Sequence, residues 1–473
     1  MSVTRRFGGL MTYAGTPCNA GAGIRPPSTQ RILLLSLLYL VGLTLVFGNA
    51  HEESQNFLAF FCLYWVSFIL APPARILSPL TFFYLYYGLW FVVAPMFAGR
   101  YQNDVMSASE YGWAFAFAYA VFGIGLISLL LGEKFAMRWL ASPARQTARL
   151  PMGRLRWGMV FLYVVSTLAV VCIVLASGGF AVWINDPGDA FLNRGGSGVF
   201  VILSHFSSMA LALTAGYYGY AKKKIWPILL FLGWLILTSP VHGSKFQLAL
   251  LIILTILPWM RHSKLFAWDS ICLGIGLVLV LGLGLYFRNH SWIDAQTFLP
   301  YTLNYFTALE NLAVSIRDFA PGGMETFFLP FNKFLMPFGL SDPSFYFDMN
   351  HYLTDIYFPH AWEIRATEQW PVETDLYLNF YFFAGLPVVA AFLWCIGVLY
   401  GMALRWDTVG AWFASTVVTI FMISHLRGSL INHTDFYMYP YIFMMFFLFR
   451  RYVFRGKTIG LEVQPSLRST GSP

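Results

Sequence analysis

Residues 111–131 read YGWAFAFAYAVFGIGLISLLL and include no charged side chain. A helix of this length rises about 30 Å, which matches the hydrocarbon thickness of a bilayer. The chain has eleven further apolar runs, most of them of similar length. They are residues 32–48, 56–71, 76–98, 157–177, 199–220, 225–241, 246–260, 268–287, 376–404, 408–425 and 436–449. The pattern predicts an all-α polytopic integral membrane protein with about twelve transmembrane helices.

The composition supports the same interpretation, because 58% of the 473 residues are apolar and only 11% are charged. One soluble core of this size does not cover that much apolar surface, whereas a bilayer does. The net charge of +8 is spread over short segments between the runs, so it does not indicate a nucleic-acid partner. The five cysteines have no CxxC or Cys/His spacing, so we expect neither disulfides nor a metal site.

The basic residues also predict the orientation of the chain. With a cytoplasmic N-terminus and twelve alternating spans, 22 of the 30 lysines and arginines fall on the cytoplasmic side. The acidic residues divide the other way, with 18 of 22 on the outer side. Because lysine and arginine in short loops set membrane topology, we expect both termini in the cytoplasm.

This topology divides the chain into five parts: a cytoplasmic tail (1–31), nine spans (32–287), a long outer loop (288–375), three spans (376–450) and a second tail (451–473). The loop is rich in aromatic residues. Its apolar positions from Tyr305 to Phe319 recur at helical spacing, which predicts an amphipathic helix lying on the membrane. A Gly/Pro break follows at Pro321-Gly322-Gly323. A long apolar loop of this kind favours a binding element or a lid.

Cations at the outer ends of the predicted spans are the first candidate site residues. They are Lys245 in a tight turn, Arg288 after the ninth span and Arg427 before Gly428, with Arg365 in the loop as a weaker candidate. Arginine and lysine bind phosphate oxygens, and arginine does so through two parallel hydrogen bonds. The alternative is that each is an interfacial anchor whose charge reaches water.

Acid–base candidates lie close to the last spans. Glu373-Thr374-Asp375 ends the long loop, and His425 and His433 lie on either side of Arg427. Glu373 is a candidate general base, and either histidine is another. The carboxylates also suit a purely structural role at a helix N-terminus, so both interpretations stay open.

In architecture, and in several short motifs, the chain resembles the Wzy-type polymerases of bacterial oligosaccharide repeat units. The motifs are Gly243-Ser244-Lys245 before a span, Glu373-Thr374 followed by Asn379-Phe380 and Gly385, and Arg427-Gly428-Ser429 near the end. The resemblance spans most of the chain. It implies an enzyme of the bacterial cytoplasmic membrane that transfers a polyprenyl-pyrophosphate-linked glycan to the terminal sugar of a second lipid-linked unit, on the outer face.

The resemblance also implies roles and partners. Arg427, Arg288, Lys245 and Arg365 would bind the pyrophosphate, while Glu373, His425 or His433 would serve as the base. Membrane lipid surrounds the enzyme, and the chain-length regulator and flippase of the same pathway are expected partners. The reaction requires neither a nucleotide nor a metal cofactor.

Three other functions remain open. An O-antigen ligase would use the same donor and a different acceptor. A glycosyltransferase that uses polyprenyl-phosphate sugars would need an acidic pair near its first outer loop, where Glu52-Glu53 lies. A flippase would need a polar path across the membrane, but the predicted spans contain almost no ionisable side chain apart from His205.

Overall fold

The computed structural model describes residues 26–97, 106–141, 148, 150–185, 190, 197–242, 245–289, 306, 308–324, 326–335, 338–340, 346–360 and 368–454. At residues 245, 280–289 and 334 it describes the backbone alone. Most of the predicted second tail (455–473) and most of the first tail (1–25) lie outside the described residues.

The described residues form helices and no β-strand, with three isolated bridges between extended residues. The first ten helices are α1 (Thr29–Gly48), α2 (Glu53–Leu70), α3 (Pro79–Phe97), α4 (Ala108–Trp139), α5 (Met152–Ala176), α6 (Phe180–Asn185), α7 (Gly198–Lys222), α8 (Trp226–His242), α9 (Lys245–Met260) and α10 (Trp268–Asn289). Seven more follow: α11 (Ala308–Asp318), α12 (Leu329–Leu335), α13 (Met349–Tyr357), α14 (Val372–Phe380), α15 (Leu386–Trp406), α16 (Val409–Leu426) and α17 (Asp435–Phe449).

Eleven of the twelve predicted runs each coincide with one helix and the tenth with two, which confirms the all-α polytopic fold. Seven helices of the described residues are long and apolar enough to cross a membrane, and four shorter apolar helices accompany them. The remaining run is α2, an 18-residue helix. The direction in which these helices cross stays a prediction from the charge pattern.

The tenth run differs from the prediction, because the structure divides residues 376–404 between two helices. α14 ends at Phe380, and a short 3₁₀ turn over Phe383–Gly385 leads into α15. Tyr381 and Phe382, which lie between the two helices, have positive φ angles of 48° and 63° respectively, and residues other than glycine rarely adopt such angles. The buried ring of Phe382 stacks on Phe117 at 3.9 Å and so holds this break in place.

The chain divides into two compact units. The first comprises residues 1–141, 260–406 and 414–440, and the second comprises residues 142–259, 407–413 and 441–473. In the first unit, α4 and α15 pack backbone to backbone. A Cβ atom added at Gly132 would lie 2.1 Å from the carbonyl oxygen of Trp394, and one at Gly397 would lie 2.3 Å from that of Leu129. Glycine is therefore required at this crossing, as is common where membrane helices meet.

In the second unit, α7 and α9 also pack closely at a glycine. A Cβ atom at Gly216 would lie 2.1 Å from the carbonyl oxygen of Thr255. The ring of Tyr441 stacks on Phe206 with centroids 4.1 Å apart, and its hydroxyl donates to the Phe206 carbonyl oxygen at 2.7 Å. These contacts order the second unit, which contains none of the candidate site residues whose side chains the structure describes.

The long loop contains helices that pack within the first unit. α11 confirms the helix predicted between Tyr305 and Phe319, but the prediction that it lies on the membrane is wrong. Its residues from Ala308 to Ser315 are all buried, and it packs on α4 and α14. Burial on most of its surface, polar Glu310 and Asn311 included, is what distinguishes it from an interfacial helix.

Candidate functional site

Helix α14 brings the Glu373-Thr374-Asp375 motif into the interior of the first unit. Pro371 precedes the helix at its N-cap position, where the missing N–H of proline costs no helical hydrogen bond. Glu373 and Asp375 lie in the first turn, where the helix dipole favours carboxylates. All three residues of the motif are buried, at 2% exposure or less. A simple surface cap does not need such burial.

The carboxyl group of Glu373 is fully buried and has one described side-chain donor. The hydroxyl of Tyr87 on α3 donates to Glu373 Oε1 at 2.8 Å. Glu373 Oε2 has no hydrogen-bond partner among the described residues. Burial raises the pKa of Glu373 to about 8, although its own backbone N–H and the Tyr87 hydroxyl act in the opposite direction. One oxygen is thus held in place, and the other is left for an incoming proton donor.

Asp375 connects α14 to the segment that carries the predicted arginine. Its Oδ2 accepts from the backbone N–H of Leu430 at 2.9 Å, and its Oδ1 accepts from Asn379 Nδ2 at 2.7 Å. Asn379 Oδ1 in turn accepts from the backbone N–H groups of Thr326 and Phe327. Burial raises the pKa of Asp375 to about 6, while the Leu430, Asn379 and Thr326 donors lower it. Asp375 therefore connects α14 with the segment that follows Arg427.

Arg427 lies directly after α16 and is partly buried. The hydroxyl of Tyr86, the neighbour of Tyr87, donates to the carbonyl oxygen of Leu426 at 2.6 Å. Tyr86 lies within electrostatic range of both Glu373 and the Arg427 guanidinium. Two consecutive tyrosines of α3 thus connect a predicted base with the segment that carries a predicted phosphate ligand.

His425 is buried at the end of α16, and both of its ring nitrogens are occupied. Nδ1 lies 3.2 Å from the carbonyl oxygen of Ser429 and from Asn432 Nδ2. Nε2 lies 3.1 Å from the Tyr439 hydroxyl and 3.4 Å from Asp435 Oδ1. These contacts suit a histidine that holds the 427–434 segment better than one that receives a substrate proton. Its predicted role as a base stays a prediction.

His433 lies in a separate cluster with His351 and Asp348 at the start of α13. Its Nδ1 is 4.0 Å from Asp348 Oδ2, and His351 Nδ1 is 2.8 Å from Asp348 Oδ1. Burial, and then the charge of Lys333, lower the pKa of His433 to about 4. A neutral imidazole with so low a pKa is a weak base, so Glu373 is the stronger candidate.

Three of the predicted pyrophosphate ligands cannot be placed in the site. Arg365 lies outside the described residues, and the side chains of Lys245 and Arg288 also lie outside them. Among the residues that the structure describes, no group of three or more His, Cys, Asp or Glu is arranged to hold a metal ion. This includes Glu52 and Glu53, the acidic pair of one alternative function.

The structure adds Tyr86 and Tyr87 to the site, and neither was predicted from the sequence. A π-helical turn, Gly88–Val93, follows them directly within α3. Such turns are rare and often mark functional sites. The adjacent tyrosines were the available signal, but they resemble ordinary aromatic residues of a membrane helix.

The candidate site is therefore a buried carboxyl group, two tyrosine hydroxyls and an arginine, supplied by helices α3 and α14 and the segment after α16. Comparison of the chain with protein-family models, with curated proteins and with solved structures finds no match.

Proposed function

We propose that this protein polymerises polyprenyl-pyrophosphate-linked oligosaccharide repeat units at the outer face of a bacterial cytoplasmic membrane. The observation that carries the proposal is the pair Tyr86-Tyr87. One hydroxyl contacts the Glu373 carboxylate, and the other contacts the backbone directly before Arg427. Transfer of a sugar from a pyrophosphate requires an acid–base group and a cation, and Tyr86 lies within electrostatic range of both Glu373 and Arg427.

The acceptor side of the reaction uses Glu373. The oxygen of an acceptor hydroxyl forms a bond to the anomeric carbon of the donor sugar, and the hydroxyl proton passes to Glu373 Oε2. With a pKa of about 8, roughly a tenth of the carboxyl groups are ionised at pH 7. The ionised form is a much stronger base than an ordinary glutamate, and its pKa lies close to the working pH.

The donor side uses Arg427. As the new bond forms, the bond between the anomeric carbon and the pyrophosphate oxygen breaks, and its electron pair leaves with polyprenyl pyrophosphate. Negative charge grows on the leaving oxygen in this step. A guanidinium held in a partly buried position stabilises that charge more strongly than it would in water. Arg288 and Lys245 remain candidates for the same role.

The test is a gel of lipid-linked glycan from cells that contain the wild-type protein, no protein, or the Glu373→Gln variant. Glutamine has the shape of the protonated carboxyl group, so the variant should fold while lacking a base. We expect the ladder of polymer to collapse to a single repeat unit without the protein. With Glu373→Gln at normal expression, we expect polymer formation to fall by about 10²- to 10⁴-fold.

The matched control is Glu110→Gln, which makes the same chemical change where Glu110 forms a capping box with Ser107. Glutamine also serves in a capping box, so this variant should give a wild-type ladder. Full-length lipid-linked polymer that stays unattached to its final acceptor without the protein would contradict the proposal and indicate a ligase. Lipid-linked units that accumulate on the cytoplasmic side would indicate a flippase. An unchanged ladder with Glu373→Gln would show that Glu373 is not the base.

A further inference from the structure

Seven exposed cations of the second unit come from three elements that are far apart in the sequence. They are Arg154 and Arg156 at the start of α5, Lys222, Lys223 and Lys224 at the end of α7 and in the turn after it, and Arg450 and Arg451 directly after α17. The steps of the proposed reaction use none of them. The directions of the helices decide whether they share one end of the unit.

An apolar cluster orients α5, α7 and α8 relative to one another. It contains Ile173 near the end of α5 and Val241 at the end of α8, and Val201 in the first turn of α7 packs against it. α7 therefore runs antiparallel to both neighbours. Because α5 and α7 each have 25 residues, they rise about 37 Å. The start of α5 and the end of α7 thus lie together at the opposite end of the unit, about a membrane thickness from this cluster.

The segment after α17 lies at the same end. The Tyr217 hydroxyl, five residues before Lys222, donates to the carbonyl oxygen of Val453 at 3.1 Å. The Tyr217 ring lies 5.7 Å from that of Phe454. The arginines after α17 are two and three residues from this contact. All seven cations therefore belong to one end of the second unit, and we call them the cationic surface.

The turn between α7 and α8 concentrates three of the charges. Lys223 ends α7 in the left-handed conformation, with φ 54° and ψ 39°, and the Lys224 N–H donates to the carbonyl oxygen of Gly219 at 2.9 Å. Glycine is the usual residue at such a helix end. Because lysine stands there instead, three consecutive residues of the turn are charged. Their mutual repulsion is relieved by a bound anion.

No carboxylate of the described residues neutralises the cationic surface. Its seven side chains are exposed, and none of them forms an ion pair within the described part of the chain. The acidic residue that the structure describes in the second unit is Asp407, whose Oδ1 accepts from Trp412 Nε1 at 2.9 Å. The adjoining segments 142–149 and 455–461 contain four further cations and no acidic residue. The counterions of this surface therefore come from outside the chain.

The side chains next to the cations indicate a membrane interface. Trp157 follows the cations of α5 and is 75% exposed, and Trp226 lies two residues after the lysines and is 45% exposed. About one turn further along the same helices, Phe161 and Leu229 are exposed as well. Cations, then tryptophan, then apolar side chains is the order that a bilayer favours from headgroup to acyl chain. A site for a soluble anion does not require this order.

We infer that the cationic surface binds the headgroups of anionic phospholipids, a function independent of the proposed reaction. Lysine and arginine donate charge-assisted hydrogen bonds to phosphate oxygens. The charge pattern of the chain predicts that this end of the unit faces the cytoplasm, where anionic lipids attract clusters of basic residues beside a membrane span. The acyl chains of such a lipid then contact the exposed apolar side chains of α5 and α8.

The experiment titrates the full-length protein in a neutral detergent with dioleoyl phosphatidylglycerol, or with dioleoyl phosphatidylcholine for comparison. Native mass spectrometry counts the bound lipids and gives the Kd of each. We expect the wild type to bind phosphatidylglycerol at least about tenfold more tightly than phosphatidylcholine. The variant Lys222→Gln/Lys223→Gln/Lys224→Gln should raise the Kd for phosphatidylglycerol about tenfold and leave that for phosphatidylcholine unchanged.

The matched control is Arg31→Gln/Arg138→Gln/Lys264→Gln, which removes the same charge from exposed cations of the first unit. Its Kd for phosphatidylglycerol should equal that of the wild type. An equal rise in both triple variants would show that total charge, and not this surface, attracts the lipid, and the inference would be wrong. The same holds if the wild type binds the two lipids equally.

Inorganic phosphate distinguishes a lipid site from a site for a soluble anion. Displacement of phosphatidylglycerol by phosphate, at constant ionic strength, would overturn the inference. If the lysine variant does not fold, as judged by its melting temperature in detergent, Arg154→Gln/Arg156→Gln decides. That variant should also raise the Kd for phosphatidylglycerol, and an unchanged value would contradict the inference.

Discussion

Removal of a single oxygen atom tests how the environment of Glu373 sets its ionisation. In Tyr87→Phe the ring remains packed on its neighbours, and only the hydroxyl that donates to Glu373 Oε1 at 2.8 Å is lost. That hydrogen bond favours the ionised carboxylate, so it lowers the pKa of Glu373. Its loss must therefore raise the pKa above the wild-type value of about 8.

The magnitude follows from the strength of the bond. A hydrogen bond to a charged group contributes about 1.5–3 kcal/mol, and 1.36 kcal/mol corresponds to one pKa unit. The pKa of Glu373 should thus rise by about one to two units. Because only the ionised form acts as a base, the rate at pH 7 should fall about 10- to 100-fold. The rate should recover as the pH approaches the new pKa.

The assay follows polymer formation from purified lipid-linked repeat units in vesicles between pH 6 and pH 10. For the wild type, the rate should rise with pH through a midpoint near 8. For Tyr87→Phe, the midpoint should lie one to two units higher. Tyr39→Phe is the control, since the Tyr39 hydroxyl donates to the Ala120 carbonyl oxygen at 3.2 Å and does not contact Glu373. A Tyr87→Phe midpoint equal to that of the wild type would refute the reasoning.

Three further predictions concern the cation, the anchoring carboxylate and the helix crossing. In the polymer assay, Arg427→Ala should lower the rate about 10²- to 10³-fold and Arg427→Lys should lower it less, because lysine keeps the charge and loses the planar fork; equal rates for both variants and wild type would contradict the role. Asp375→Asn should lower the free energy of unfolding by about 1–3 kcal/mol, because the NH₂ group of asparagine would face an N–H donor, such as that of Leu430, and could not accept its hydrogen bond. An unchanged melting temperature in detergent would count against this. Gly132→Ala should lower the free energy of unfolding by about 1–3 kcal/mol, because the new Cβ collides with the Trp394 carbonyl oxygen. Gly233→Ala is the control, since no atom lies within 4 Å of the new Cβ, and it should change the melting temperature little.

The helices could be predicted because each apolar run carries its own signal. A run such as 111–131 forms a helix in lipid whatever its neighbours are, since its backbone must satisfy its own hydrogen bonds. The break at Tyr381-Phe382 could not be predicted in this way, because the apolar run continues through it. What ends α14 there is the stacking of Phe382 on Phe117, a contact between residues distant in sequence.

Half of the candidate site could be predicted for a similar reason. Glu373 and Arg427 stand out as charged residues beside apolar runs, and the structure places both near Tyr86. Tyr86 and Tyr87 do not stand out, because tyrosine is common in membrane helices. Their significance depends on partners 340 and 286 residues away, and the sequence of a single chain carries no signal of such pairing.

A cavity of about 590 Å³ in the first unit, lined in part by Glu52 and Glu53, lay beyond sequence reasoning as well. Glu52-Glu53 was considered as the acidic pair of an alternative glycosyltransferase, and the other residues that line the cavity were not recognised. Glu310 and Phe306 come from the region expected to lie on the membrane. Because α11 instead packs inside the protein, its polar residues meet helices from the first quarter of the chain.

The long separation between the tyrosines and their partners has a consequence for biogenesis. A ribosome that adds about 5–20 residues per second makes Tyr87 roughly 15 to 60 seconds before Glu373, which is 286 residues further along. During that interval the two hydroxyls of α3 lie in a nascent membrane protein without their final acceptors. The candidate site is thus assembled only when the later helices insert, and an incomplete chain does not yet hold the Glu373 carboxyl group against Tyr87.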